Sequence, residues 1–217
     1  MKTLLSIGTG PGMGYETALR FAREGVRVVL SARREDKIRA MAEYLKTQGY
    51  DADYLYVDAS DIASINKLIA TVEKEIGPID VLHYNAAAMR NESISTQPPG
   101  TFISDLAVNI GGALASIQAT LPEMEKRGTG TILLTGGGFA LAPSPDYLSL
   151  SIGKAGIRNL TLGLFESLKS KGIHIASVTV SSLVSPESQE AKGAGEAFWQ
   201  LYSQPESDWT AEVSFPR

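Results

Sequence analysis

The 217-residue chain has no cysteine and only two histidines, His83 and His174. Without thiols there are no disulfides, thiolate zinc sites or cysteine nucleophiles. Two histidines, each among apolar residues, read as structural and are too few for a metal centre, so no metal is expected. The lack of cysteine fits the cytoplasm, the expected compartment. An excess of basic residues is missing too: 20 Lys and Arg stand against 24 Asp and Glu, giving a net charge of −4. Such a balance lacks the basic face that nucleic acid requires, and no nucleic-acid partner is expected. No Ser-His-Asp order or nucleophile elbow is found, which argues against hydrolase chemistry. No apolar run reads as long enough to span a membrane. The apolar start ends at Gly8, too short for a signal-peptide core, and reads as a buried first strand with no membrane association.

What is present is a globular composition, 43% hydrophobic and 20% charged, ordered as short apolar runs alternating with longer helical stretches. That alternation predicts parallel βαβ units. Strands are expected at Thr3–Ile7, Val26–Ser31, Asp53–Val57, Ile79–His83, Thr131–Thr135 and Ile173–Val180, with a weak last one at Glu212–Phe215. Helices are expected at Gly12–Glu24, Glu35–Gln48, Ile62–Glu75, Phe102–Lys126 and Tyr147–Lys171, then a short one at Glu196–Tyr202. With no repeat beyond this period and no linker, residues 1–217 read as one domain. The aromatics Phe198, Trp199, Tyr202 and Trp209 read as capping the core or an interface rather than lining a pocket. The Phe102–Lys126 helix is apolar nearly all round, whereas covering one sheet face needs a single stripe. The excess predicts a homodimer or homotetramer through helices 102–126 and 147–171.

Between the first strand and first helix runs Ser6-Ile7-Gly8-Thr9-Gly10-Pro11-Gly12-Met13-Gly14. Strand–turn–helix context makes such a glycine motif informative. Gly8 permits a tight turn, Gly12 lets the backbone approach a pyrophosphate, and Gly14 allows close helix–strand packing. The helix start adds free N–H groups and a positive dipole end. Where NAD-binding sites place an acidic residue after the second strand, this chain reads Ser31-Ala32-Arg33-Arg34. Two guanidinium groups there favour a 2′-phosphate, hence NADP over NAD.

The spacing Gly8-x3-Gly12-x-Gly14 resembles that of the short-chain dehydrogenase/reductase family, and other residues up to about Val184 extend the likeness. Asp58 follows the third strand, Asn85-Ala86-Ala87 resembles the end of the family's Asn-Asn-Ala-Gly segment, and Asn109 and Lys154 match its helix asparagine and lysine. The resemblance implies an α/β Rossmann fold: three layers, with a doubly wound parallel sheet of six to seven strands in the order 3-2-1-4-5-6-7. It implies cofactor contacts from Gly8, Thr9, Gly10, Gly12, Met13, Gly14, Arg33, Arg34, Asp58, Ala59, Asn85, Ala86, Lys154 and Val184. The short tail after Ser181 would replace a full substrate lid.

The chemical groups depart from the family pattern. Its catalytic tyrosine stands four residues before the lysine, where this chain has Leu150; its serine stands thirteen before that, where this chain has Gly137. Leucine has no proton to donate. Tyr147, one turn earlier, is a candidate acid beside Lys154 and Asn109, although a helix-start aromatic packed on the preceding loop is the plainer reading of it. The resemblance therefore implies an NADP-dependent oxidoreductase acting on a carbonyl or alcohol, a small molecule the sequence does not name, through an altered proton donor. The alternative is a catalytically inactive NADP-binding sensor or scaffold.

Overall fold

The computed structural model describes residues 1–216. Seven strands form one parallel sheet: β1 (Thr3–Ile7), β2 (Arg27–Ala32), β3 (Ala52–Tyr56), β4 (Val81–Tyr84), β5 (Gly130–Thr135), β6 (Ile173–Val180) and β7 (Glu212–Phe215). Their order is β3-β2-β1-β4-β5-β6-β7, the doubly wound arrangement expected. Side chains of a strand alternate between its two faces, so Leu5 joins one core and Leu4 the other. The first core is closed by α3 (Ile62–Glu75), α5 (Gly112–Arg127) and α6 (Leu148–Lys169); the second by α1 (Met13–Ala22), α2 (Glu35–Thr47) and α7 (Gln189–Tyr202). Full burial of each such Leu, Ile or Phe contributes roughly 1.5–3 kcal/mol.

The tail differs from expectation. Its helix is not a short piece near Glu196 but the 14 residues of α7, capped by the Ser188 hydroxyl accepting from the Ala191 N–H. Gly195 sets α7 directly on the α1 backbone at Glu16. Phe198 is fully buried, and Phe21 meets Trp199 edge-on at 5.1 Å. These tail aromatics cap the core, and the added first half of α7 carries the buried Ala191, Ala194 and Gly195.

The long apolar helix is also different. It begins as α4 (Thr101–Leu106), passes through a π turn at Ala107–Gly111, and continues as α5. By length and composition this 27-residue stretch could cross a membrane, contrary to the sequence reading. In the fold it is a core helix, burying Ala113, Ile117 and Met124 against the sheet. The π turn sits where Tyr84 lies beneath the helix. A side chain at Gly112 would collide with the Tyr84 ring and the Ala59 carbonyl, and the Tyr84 hydroxyl donates to the Val108 carbonyl at 2.6 Å. Within the π turn, Asn109 is the buried residue.

The strands end together. Ile7 pairs with Ser31 on one side and Tyr84 on the other, and Tyr84 pairs with Leu134. Because the chain leaves β1 toward β2 on one side and reaches β4 on the other, a crevice opens at the carboxyl ends of β1 and β4.

Candidate functional site

At that crevice lies a cleft of about 480 Å³ lined by Gly8, Thr9, Gly10, Pro11, Ala32, Arg33, Arg34, Lys37, Met41, Val57, Asp58, Ala59, Ala86, Ala87 and Val108. Its floor is the glycine-rich turn. Gly8 has φ +84°, and a side chain on it would strike the Ala86 backbone, so only glycine allows β1 to turn this close to the end of β4. A Cβ on Gly14 would fall 2.9 Å from the Thr9 Cα and 3.0 Å from the Asn85 amide nitrogen. That residue provides the close packing expected of it. A Cβ on Gly10 would meet nothing within 4 Å, and one on Gly12 would meet only Val184 and Ser185 near 4 Å. The α1 N-terminus has no side-chain cap. An uncapped helix start beside open space suits an anion such as pyrophosphate, so the residues present fit a dinucleotide.

The expected residues fall into three groups. Gly8, Thr9, Gly10, Arg33, Arg34, Asp58, Ala59 and Ala86 line the cleft. Met13 opens α1 after Gly12, the turn that Val184 faces from the loop beyond β6. Asn85 stands behind the turn: its amide donates to the Gly8 carbonyl at 2.9 Å and accepts from the Thr135 hydroxyl at 3.0 Å. The Asp58 carboxylate accepts from the Ser60 N–H and hydroxyl, which hold it below the usual carboxylate range.

Arg33 and Arg34 are exposed, and neither forms a salt bridge among the described residues. Lys37 joins them in the wall. The sequence reading passed over this third cation, which stands in the first turn of α2, three residues after the cap residue Arg34.

Under the turn, hydroxyls and one imidazole bridge the strands. His83 is fully buried, with Nδ1 3.2 Å from the Ser6 hydroxyl and Nε2 3.3 Å from that of Thr135. Burial pushes its pKa down to about 3, so the ring is neutral and structural. His174 is buried as well, stacked on Trp209 and bonded to the Thr210 carbonyl.

The second part of the site is at the end of β5 and the start of α6. Asn109 is engaged on both amide groups: Oδ1 accepts from Ala88 N–H at 2.7 Å, and Nδ2 donates to the Ala88 and Ser149 carbonyls. It ties the loop after β4 to α6 and makes no bond to Lys154. Lys154 is half-buried, and its Nζ donates to the Thr135 carbonyl at 2.6 Å. Burial holds its pKa down to about 8. Leu150 is buried. Tyr147 precedes α6 as its cap residue, and its ring stacks on Phe139 with centroids 5.4 Å apart. None of the three expected catalytic residues, Lys154, Asn109 and Tyr147, lines the nucleotide cleft.

Residues 2–195 match the family model described as short chain dehydrogenase. Glucose 1-dehydrogenase of Gluconobacter oxydans is 30% identical over 187 residues, 85% of this chain and 70% of that protein. A 3-oxoacyl-(acyl-carrier-protein) reductase of Staphylococcus aureus is 26% identical over 85% of this chain and 75% of its own length. Among solved structures, a metagenomic short-chain oxidoreductase in complex with NADP aligns with TM-score 0.91 and 23% identity, over 98% of this chain and 96% of that one.

Proposed function

The chain belongs to the short-chain dehydrogenase family, and from that membership we propose that it is a single-domain, NADP-dependent oxidoreductase interconverting a carbonyl and an alcohol. The observation that carries the cofactor choice is the trio Arg33, Arg34 and Lys37 on the cleft wall, unbridged to any carboxylate among the described residues. Such a trio pairs with a 2′-phosphate and gives a bare ribose hydroxyl no comparable partner.

The residues divide the work along the crevice. The uncapped start of α1, with the Gly10 and Gly12 backbone, holds the pyrophosphate. Val57, Asp58 and Ala59 flank the adenine end, and Lys154 with the Val184 backbone holds the nicotinamide end. Bound NADP supplies or takes the hydride. The protein orients the two reactants and manages one proton at the substrate oxygen. That proton does not come from residue 150 or residue 137, since leucine and glycine stand there.

We further read the exposed Ile103, Leu114, Ile152 and Leu162, on the two long helices, as a contact face for a second copy of the chain. Replacing Leu114 and Leu162 with glutamate is expected to leave a monomer by sedimentation velocity.

The test of the activity is NADPH oxidation by purified protein across a panel of small ketones and aldehydes. Carbonyl-dependent oxidation at 340 nm supports the reading. NADPH binding with no turnover on any carbonyl favours the non-catalytic sensor instead.

A further inference from the structure

Lys154 packs its side chain directly against the Gly137 backbone. A Cβ on Gly137 would fall 3.2 Å from the Lys154 Cγ and 3.4 Å from both Cδ and Cε. The lysine stem therefore lies flat across the backbone that follows β5. Its ammonium reaches the Thr135 carbonyl, using one N–H and leaving two. No carboxylate pairs with it among the described residues.

Other proton-bearing groups nearby are engaged. The Ser149 hydroxyl donates to Asp105 at 2.9 Å, and that of Ser151 to the Tyr147 carbonyl at 2.9 Å. The Thr135 hydroxyl donates to Asn85, and both amide groups of Asn109 are bonded. The exception is Tyr147, whose ring stacks on Phe139 without occupying its hydroxyl, the competing donor that Tyr147→Phe tests. The elements packed on α6 add no competing charge. The π turn, β5 and the short turn Gly138–Ala140 carry no titratable side chain, and β6 carries only His174, opposite Thr131 near the far end of the strand. From α4, Asp105 is held by Arg90; along α6 itself, Arg158 is held by Glu212. Asp146 precedes the helix on the loop side and is exposed.

We propose that the Lys154 ammonium is itself the acid that protonates the substrate oxygen, replacing the hydroxyl that residue 150 lacks. This rests on the oxidoreductase reading above. In reduction, the hydride from NADPH forms the new C–H bond, the C=O π pair moves onto oxygen, and that oxygen takes one Nζ proton. The carbonyl is reduced, NADPH is oxidised, and the neutral amine regains its proton from water. Burial, which brings the ammonium down to about 8 from 10.5, gives it the acidity such a role near neutral pH requires.

The absence of cysteine makes the test clean, because Lys154→Cys introduces a single thiol. Alkylating it with bromoethylamine rebuilds a lysine-like side chain whose amine is more acidic. In the wild type, kcat/KM for reduction should fall above pH ~8. Lys154→Met and Lys154→Arg should each lose about 100-fold or more, the arginine keeping the charge but not the transferable proton. The aminoethylated cysteine should restore turnover with its alkaline limb moved to lower pH. Independently of activity, the Lys154 amine in cofactor-free protein, assigned by its absence in Lys154→Met, should titrate near 8 by ¹⁵N-lysine NMR.

Lys154→Arg with wild-type kcat/KM and an unmoved limb would overturn the assignment while leaving the oxidoreductase reading intact. So would restored turnover in the alkylated variant with the limb unmoved, or loss of activity in Tyr147→Phe but not Lys154→Arg. Wild-type protein inert toward every carbonyl overturns the oxidoreductase reading itself, and the proton-donor assignment with it.

Discussion

The molecule has two glycine clusters at the carboxyl ends of its strands, and they are used in opposite ways. In the turn after β1, nothing stands within 4 Å of a Cβ on Gly10, and only Val184 and Ser185 approach one on Gly12, near 4 Å. In the segment after β5, the space beside Gly136, Gly137 and Gly138 is taken by the chain's own Thr179, Lys154 and Ser181. The first cluster leaves backbone N–H groups open to an anion. The second lets side chains close over the backbone, bringing one amine to the Thr135 carbonyl. A glycine count alone would treat these segments alike; what stands beside each glycine separates binding from chemistry.

The comparison breaks most visibly at Gly8, which like Gly14 is a closed glycine of the first cluster rather than an open one. Gly8→Ala combines a φ of +84° with a collision at Ala86, and should lose about 2–4 kcal/mol in urea unfolding. Unchanged stability would show that β1 and β4 are not held together there. Next in size is the charged wall. Replacing Arg33 and Arg34 together with alanine should raise the NADPH Kd about tenfold to a hundredfold. NADH binding, measured alongside, should scarcely move.

A smaller effect sharpens the second cluster. The folded-state pKa of Lys154, about 8, lies below its ordinary 10.5. The unfolded chain therefore binds a proton first as pH falls, and the stability present above 10.5 is fully lost below 8. Lys154→Met is free of this loss. It should exceed the wild type by about 1–3 kcal/mol at pH 7, the gap closing between pH 8 and 10.5. A gap constant with pH would mean the amine is not desolvated. The smallest effect belongs to Gly10→Ala: stability should stay within about 0.5 kcal/mol of wild type, while NADPH binding weakens because the new methyl stands in the open cleft.

Much of the fold was legible because continuous β-branched runs and helix-ending glycines carry local signals. Ile173–Val180 and Ile62–Glu75 stand where their patterns place them. Gly8 and Gly14 were legible for the same reason, the first needed by the turn and the second by the close packing of α1 on it. The π turn was not, because its signal is split between Tyr84 and Gly112, far apart in the sequence and meeting only in the fold. α7 was underestimated because its buried Ala191 and Ala194 are weakly apolar and count only once Gly195 sets the helix on α1. Leu150 and Gly137 could be seen as departures from the family pattern. That the second of them makes a bed for Lys154 needed the packing across two elements.

The central claim is that the open glycine turn and its cationic wall hold a dinucleotide bearing a 2′-phosphate. Calorimetric titration of the purified protein with NADPH and NADH, side by side at one ionic strength, tests it most directly. The account predicts one site on the chain and tighter binding of NADPH. Equal affinity for the two, tighter binding of NADH, or no binding of either would contradict it.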